Sequence, residues 1–213
     1  MSDRTDLYPP TGGRWQLDRN DAIGFLTSLS GVVLHELGHY AAANLITHVV
    51  GHIVVERSPG DPKGAFIFYE PTLIAPNPES LGFVFAAGGM AEIEFAGITN
   101  PNRLRSDIAA FEALLADVSP ELGPTGLIGY WLTQYQPQFS TLADLVETNF
   151  STCQQLLQSG SYRIGGYDII PSYLLQTKGQ RDRLTMHREV VLTEPLKARL
   201  KALEKYLAAR KQL

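Results

Sequence analysis

Cysteine is almost absent from this chain, since Cys153 is the only one among 213 residues. A single cysteine excludes an intramolecular disulfide, and it excludes zinc or iron–sulfur centres built from several thiolates. An excess of positive charge is also missing, because 18 Lys and Arg residues face 22 Asp and Glu residues and give a net charge of −4. Proteins that bind nucleic acids usually carry a basic surface. We therefore expect no nucleic acid partner.

Long apolar runs are missing as well. Residues 1–20 are polar and rich in turn-forming residues, without the apolar segment of a signal peptide, and we expect them to form a flexible N-terminal arm. The best membrane candidate, residues 37–55, has no formal charge but contains three histidines. A membrane-spanning helix needs about 20 predominantly apolar residues. We therefore expect no transmembrane segment and a cytoplasmic location.

Apolar periodicity and turn residues predict a mostly α-helical (α+β) fold with a small β-hairpin. Asn20 or Asp21 could cap the first helix, and Gly97 is a natural end for the second. We expect one domain over residues 21–213, with a core over 21–118 and a helical C-terminal part over 119–213. The hairpin strands are expected over 51–57 and 64–70, and the helices over 21–45, 79–96, 106–116, 125–135, 140–158 and 194–211.

The most informative motif is His-Glu-Leu-Gly-His over residues 35–39. Histidines four residues apart leave the same face of a helix and can supply two ligands of a zinc ion. Glu36, directly after the first histidine, can reach water at an open coordination position and act as a general base. The alternative is an amphipathic helix with two incidental histidines. The uncharged residues on both sides favour a buried metal-binding helix, with His35 and His39 as zinc ligands.

A third protein ligand must come from elsewhere in the chain. The metzincin extension is absent, because Ala42 and Leu45 stand where Gly and His would be needed. A carboxylate from the predicted helix over 79–96 would complete a two-His-one-Glu site, and one from the next predicted helix would complete a two-His-one-Asp site. These carboxylates belong to Glu92, Glu94 and Asp107. Two further histidines near the hairpin are weaker candidates, namely His48 and His52.

Three motifs follow one another in the first half of the chain. They are HELGH over 35–39, GGMAEIEFAG over 88–97 and Ser-Asp-Ile over 106–108. Their order, with a hairpin after the first, resembles the zinc peptidase domain of the FtsH family of AAA proteases over roughly residues 20–118. That domain carries an HEAGH helix, a GGRAAEE-like helix and a Ser/Asn-Asp-Leu/Ile step.

The resemblance implies a helical zincin-like peptidase domain and a role for each site residue. It implies that Zn²⁺ is bound by His35, His39 and Asp107, and that Glu36 is the catalytic base. The Glu92/Glu94 pair then belongs to a structural helix, and its carboxylates are able to orient the metal ligands through hydrogen bonds.

The chain departs from the family pattern in three ways. Met90 replaces the usual Arg, Ile93 interrupts the acidic pair, and no ATPase P-loop motif is present. The resemblance therefore implies a stand-alone zinc metalloendopeptidase, without a motor, that hydrolyses peptide bonds in flexible or unfolded polypeptides. The alternative is a catalytically silent module with a peptidase fold that binds or regulates AAA proteases. Besides the polypeptide substrate, the partners considered are a second copy of the chain and an AAA protease.

Overall fold

A computed structural model describes residues 13–47, 51–58, 60, 62–68, 78–114 and 124–177. Within these ranges the chain is mostly α-helical with a small antiparallel sheet, which confirms the predicted fold class. The helices are α1 (Arg19–Leu26), α2 (Leu29–Thr47), α3 (Pro78–Ala96), α4 (Pro101–Leu114), α5 (Pro124–Gln134), α6 (Gln136–Ser140) and α7 (Ala143–Ser159). The strands are β1 (Gly51–Glu56), β2 (Lys63–Phe68), β3 (Arg163–Ile164) and β4 (Tyr167–Pro171). The predicted helix over 194–211 lies outside the described residues.

The centre of the fold is the packing of α2 against α3. Both helices are apolar on nearly every face, which is typical of helices buried in a core, and Val32, Leu37, Ala87 and Met90 are fully buried. Gly38 allows their close approach, because a Cβ atom at this position would collide with the carbonyl oxygen of Ala87. Although α2 and α3 are each 19 residues long, no helix in the described part of the chain is long and apolar enough to cross a membrane.

The helix predicted over 21–45 is wrong in one respect, because the structure has two helices there. The break falls at Thr27 and Ser28, whose hydroxyl groups donate to backbone carbonyls in the last turns of α1. Such side-chain hydrogen bonds compete with continuation of a helix. The cap also differs from the prediction, because Asp18 accepts the backbone N–H groups of Asn20 and Asp21.

The segment predicted as an N-terminal arm is described from Gly13 onward, and there it is held against the core. The backbone N–H of Arg14 donates to the carbonyl of Glu94 at 2.8 Å. The ring of Trp15 packs against Phe25, Phe95 and Phe150, with centroid distances of 5.2, 4.8 and 5.1 Å. These contacts connect the segment to α1, α3 and α7.

The predicted hairpin is present, and it belongs to a larger sheet. β1 pairs antiparallel with β2, from Gly51 opposite Phe68 to Glu56 opposite Lys63. The other edge of β1 pairs with β4, so the strand order is β2-β1-β4-β3. The prediction of a helical C-terminal part over 119–213 missed β3 and β4. The added strand explains why the backbone of β1 is buried.

The connection from α3 to α4 positions the second half of the site. α3 ends at Gly97, whose φ of 75° is the left-handed conformation expected of a glycine cap. α4 then begins at Pro101 rather than near residue 106, because the Asn100 side chain accepts the Asn102 N–H at 3.1 Å and caps the helix. Asp107 therefore lies in the second turn of α4.

Candidate metal centre

The structure brings His35, His39 and Asp107 together. α2 presents both imidazole rings on one face, and their Nε2 atoms lie 3.1 Å apart. Asp107 approaches from α4, with its Oδ2 atom 3.0 Å from His35 Nε2 and its Oδ1 atom 3.5 Å from His39 Nε2. Among the described residues, these three form the group of histidine and carboxylate side chains that could hold a metal ion.

The Nδ1 atom of each imidazole ring has its own partner in α3. His39 Nδ1 lies 2.7 Å from the carbonyl oxygen of Val84, and His35 Nδ1 lies 3.1 Å from Oε1 of Glu92. A carbonyl oxygen and a carboxylate oxygen only accept hydrogen bonds, so each Nδ1 carries the proton. In the neutral tautomer that results, each Nε2 atom has a free lone pair. Both lone pairs belong to the nitrogens nearest Asp107.

The donor atoms fit zinc. Two imidazole nitrogens and one carboxylate oxygen are a common zinc ligand set that leaves a coordination position open. Lone pairs this close repel one another unless a cation or a proton lies between them. In addition, Oδ2 of Asp107 is buried and has no hydrogen bond of normal geometry within the described chain.

The electrostatics of the three residues favour positive charge at the centre of the site. Burial lowers the pKa of His35, but the carboxylates of Asp107 and Glu92 outweigh burial and raise it to about 10. The same carboxylate of Asp107 raises the pKa of His39. Burial acts to raise the pKa of Asp107, yet the two histidines hold it well below its usual range. Without a metal, protons occupy this position.

Glu36, the predicted base, lies beside the three ligands under the start of β2. It is buried, and burial raises the pKa of its carboxyl group above the usual value while the nearby His35 and His39 oppose the rise. Gly64 of β2 covers it closely, because a Cβ atom on Gly64 would lie 2.9 Å from Glu36 Oε1. A glycine at this point of the strand leaves room for the carboxyl group.

Gly88 of α3 leaves room for the two imidazole rings. A Cβ atom at this position would lie 2.5 Å from His39 Nε2 and 2.6 Å from His35 Nε2. These distances are far below van der Waals contact. Gly88, the first glycine of the GGMAEIE motif, therefore has a steric role that the sequence alone did not assign to it.

Glu92 orients His35 and is itself held by Arg103. The Glu92 side chain is fully buried, and Arg103 Nη1 lies 2.7 Å from its Oε1 atom. Oε2 accepts the backbone N–H of Asn100 at 2.6 Å. Arg103 also donates to the backbone carbonyls of Gly31 and Leu26. The ion pair and these hydrogen bonds thus connect the start of α4 to α1, α2 and α3.

Arg103 is the site residue that the sequence reasoning missed. It lies four residues before Asp107, so the two side chains leave the same face of a helix. A helix beginning at Pro101 would have shown this relation. The helix predicted over 106–116 leaves Arg103 in the connection before it, where no such relation between the two side chains holds.

The other candidate ligands lie elsewhere. Glu94 faces away from α2, and its carboxylate contacts Arg14, Gln136 and Ser140. His52 is buried in the middle of the sheet and is not a member of the histidine–carboxylate group found in the described chain. His48 lies outside the described residues.

The function of this chain has to be inferred from the geometry of His35, Glu36, His39 and Asp107. Comparison of the chain with protein-family models, with curated proteins and with solved structures finds no match. The FtsH-like interpretation therefore rests on the three motifs and on the arrangement of their side chains.

Proposed function

We propose that this protein is a zinc metalloendopeptidase that cleaves flexible or unfolded polypeptides. His35, His39 and Asp107 would hold the metal, and Glu36 would be the general base. The observation that carries the proposal is the convergence of three lone-pair donors next to a buried carboxyl group. A histidine pair with an adjacent glutamate on one helix is an arrangement by which zinc metalloproteases hydrolyse peptide bonds.

The parts of the site would have separate roles in such a reaction. When bound, zinc would act as a Lewis acid that polarises the scissile carbonyl and acidifies water. Glu36 would take the proton from the attacking water and pass it to the leaving amine. Its raised pKa suits both roles, because a base that must also release its proton works best near the ambient pH.

The surroundings fix the ligands and leave an approach for substrate. Glu92 and the Val84 carbonyl hold the two imidazoles in one tautomer, which orients Nε2 and increases its basicity. The side chains of His39 and Asp107 remain 13% and 12% exposed, so the site opens to solvent on their side. β2 is one of the two edge strands of the described sheet and carries Gly64 next to Glu36. An extended polypeptide can add to such an edge.

The test is Glu36→Gln, which keeps the shape of the side chain and removes the base. We expect hydrolysis of an unfolded polypeptide such as casein to fall by about 10²- to 10⁴-fold, while zinc content stays that of the unchanged protein. The matched control is Glu112→Gln, an exposed position in α4, which should leave both properties unchanged.

Two results would contradict the proposal. A Glu36→Gln variant that cleaves casein as fast as the unchanged protein would exclude Glu36 as the base. Zinc-loaded protein that cleaves no unfolded polypeptide would exclude peptidase activity and favour the regulatory module. A pull-down that recovers an AAA protease would then identify the partner of that module.

A further inference from the structure

A cleft of about 680 Å³ lies beside the candidate metal centre. One wall is residues 60 and 62–64 of the β-hairpin, a second is residues 98–103, 105 and 106, and the C-terminal end of α1 also lines the cleft. The cleft borders the site at two points. Gly64, in its first wall, covers the carboxyl group of Glu36, and Ser106, in its second wall, directly precedes Asp107. The cleft therefore adjoins the candidate site, although His35, Glu36, His39 and Asp107 do not line it.

The described lining of this cleft carries charge of one sign. Lys63 comes from the hairpin wall, and Arg103 and Arg105 come from α4, while none of the lining residues that the structure describes is acidic. Arg103 is paired with Glu92. Lys63 and Arg105 are exposed, and neither forms an ion pair with any residue in the described ranges. This local excess of positive charge stands out in a chain whose net charge is −4.

The side chains, rather than the end of α4, supply the positive charge. Pro101 has no backbone N–H, and Asn100 accepts the N–H groups of Asn102, Arg103 and Leu104. The first turn of the helix is therefore already satisfied. Recognition of an anion in this cleft depends on the ammonium group of Lys63 and the guanidinium group of Arg105.

We propose that the cleft binds an acidic segment of the polypeptide substrate, with Asp or Glu side chains near the bond that is cleaved. The inference rests on the proposed function and names the substrate class of the same site. Cations on two walls of one cleft can contact successive carboxylates of an extended chain, and exposed charge pairs act mainly on selectivity and on the rate of association. The structure thus predicts a peptidase that selects for negative charge.

The experiment measures binding without hydrolysis. Three dye-labelled peptides with the same Gly/Ser backbone carry several glutamates, glutamines or lysines, and their affinity for zinc-loaded Glu36→Gln protein is measured by fluorescence anisotropy. The glutamate peptide should bind most tightly, with an affinity that falls as salt is added. Adding Lys63→Glu or Arg105→Glu should weaken its binding, and adding both should weaken it about tenfold.

Arg19→Glu is the matched control, because it changes the net charge as much as either single reversal. Arg19 is exposed at the far end of α1 and does not line the cleft, so its reversal should leave the affinity unchanged. Zinc content and circular dichroism, measured for every variant, check that the fold and the metal site remain intact.

The outcomes separate this inference from the proposed function. Equal affinity for the three peptides, or equal losses in the cleft variants and in Arg19→Glu, would overturn the cleft assignment even if casein is cleaved. An oligonucleotide that binds as tightly as the glutamate peptide and loses affinity in the same variants would overturn the assignment to peptides. Charge-selective binding by a protein that hydrolyses nothing would support the cleft and contradict the peptidase.

Discussion

Arg103 and His35 are joined through a single oxygen atom. Oε1 of Glu92 lies 2.7 Å from Arg103 Nη1 and 3.1 Å from His35 Nδ1. The arginine thus acts on the candidate metal ligand without touching it, because it holds in place the carboxylate that fixes the imidazole. Groups that orient metal ligands in this way commonly change metal affinity by about 10- to 100-fold when they are removed.

Replacing Arg103 with Met should weaken zinc binding by about 10- to 100-fold and lower the free energy of unfolding by about 3 kcal/mol or more. The loss of stability arises because the fully buried carboxylate of Glu92 would lose its arginine partner. Glu92→Gln in the same background should restore part of the stability. Urea unfolding of both single variants and the double variant measures the coupling, and strictly additive losses would contradict the ion-pair assignment.

Asp107→Asn should remove most of the bound zinc, since the amide is a poor metal ligand of similar shape. Elemental analysis after chelation and zinc repletion measures the effect. Glu94→Gln is the control, because Glu94 contacts Arg14 on the other side of α3. If Asp107→Asn retained its zinc while Glu92→Gln lost it, the third ligand would be Glu92.

Gly88→Ala should disrupt the metal centre, because the new methyl group would lie within 2.6 Å of His35 Nε2 and His39 Nε2. We expect zinc binding to fall and the melting temperature of the variant to decrease. Gly24→Ala in α1 serves as the comparison. Its methyl group would meet no atom within 4 Å, so helix propensity should increase stability by about 0.5–1 kcal/mol. Zinc binding by Gly88→Ala at the affinity of the unchanged protein would exclude the packing described here.

The stability of the metal-free protein should depend on His52 at acidic pH. Burial lowers the pKa of this imidazole from 6.5 to about 4 in the folded state, so the unfolded state binds the proton more readily. Its contribution is therefore complete above pH 6.5 and is lost as the pH falls towards 4. Over this pH range the titration of His52 changes the free energy of unfolding by about 3 kcal/mol.

Urea denaturation at several pH values, compared with His52→Gln, tests this window. The difference between the two proteins isolates His52 from the histidines of the metal centre, which are present in both. Parallel stability curves between pH 4 and 6.5 would contradict the assignment.

The local parts of the site could be predicted from the sequence, because they depend on spacing along one helix. One short stretch of α2, residues 35–39, carries His35, Glu36 and His39. Helical periodicity alone places both imidazoles on one face. Asp107 was one of several candidate third ligands in the sequence, and the resemblance to a family singled it out. The structure brings it to the two histidines, although its helix begins five residues earlier than predicted.

The parts that were missed depend on contacts between distant residues. Arg103 reaches Glu92 only because the Asn100 cap starts α4 early. The break between α1 and α2 depends on two hydroxyl groups within an apolar, otherwise continuous pattern. β4 is a short strand among turn residues, and it becomes a strand because the free edge of β1 pairs with it.

The pairing of β1 with β4 also determines when this protein can fold during its synthesis. His52 lies opposite Pro171, so the middle strand of the sheet gains its second neighbour only after residue 171 has left the ribosome. Until then β1 has an open edge, of the kind that promotes aggregation. The fragment over residues 20–118 carries every candidate metal ligand but leaves this edge of β1 unpaired, so we expect it to aggregate more readily than the full chain.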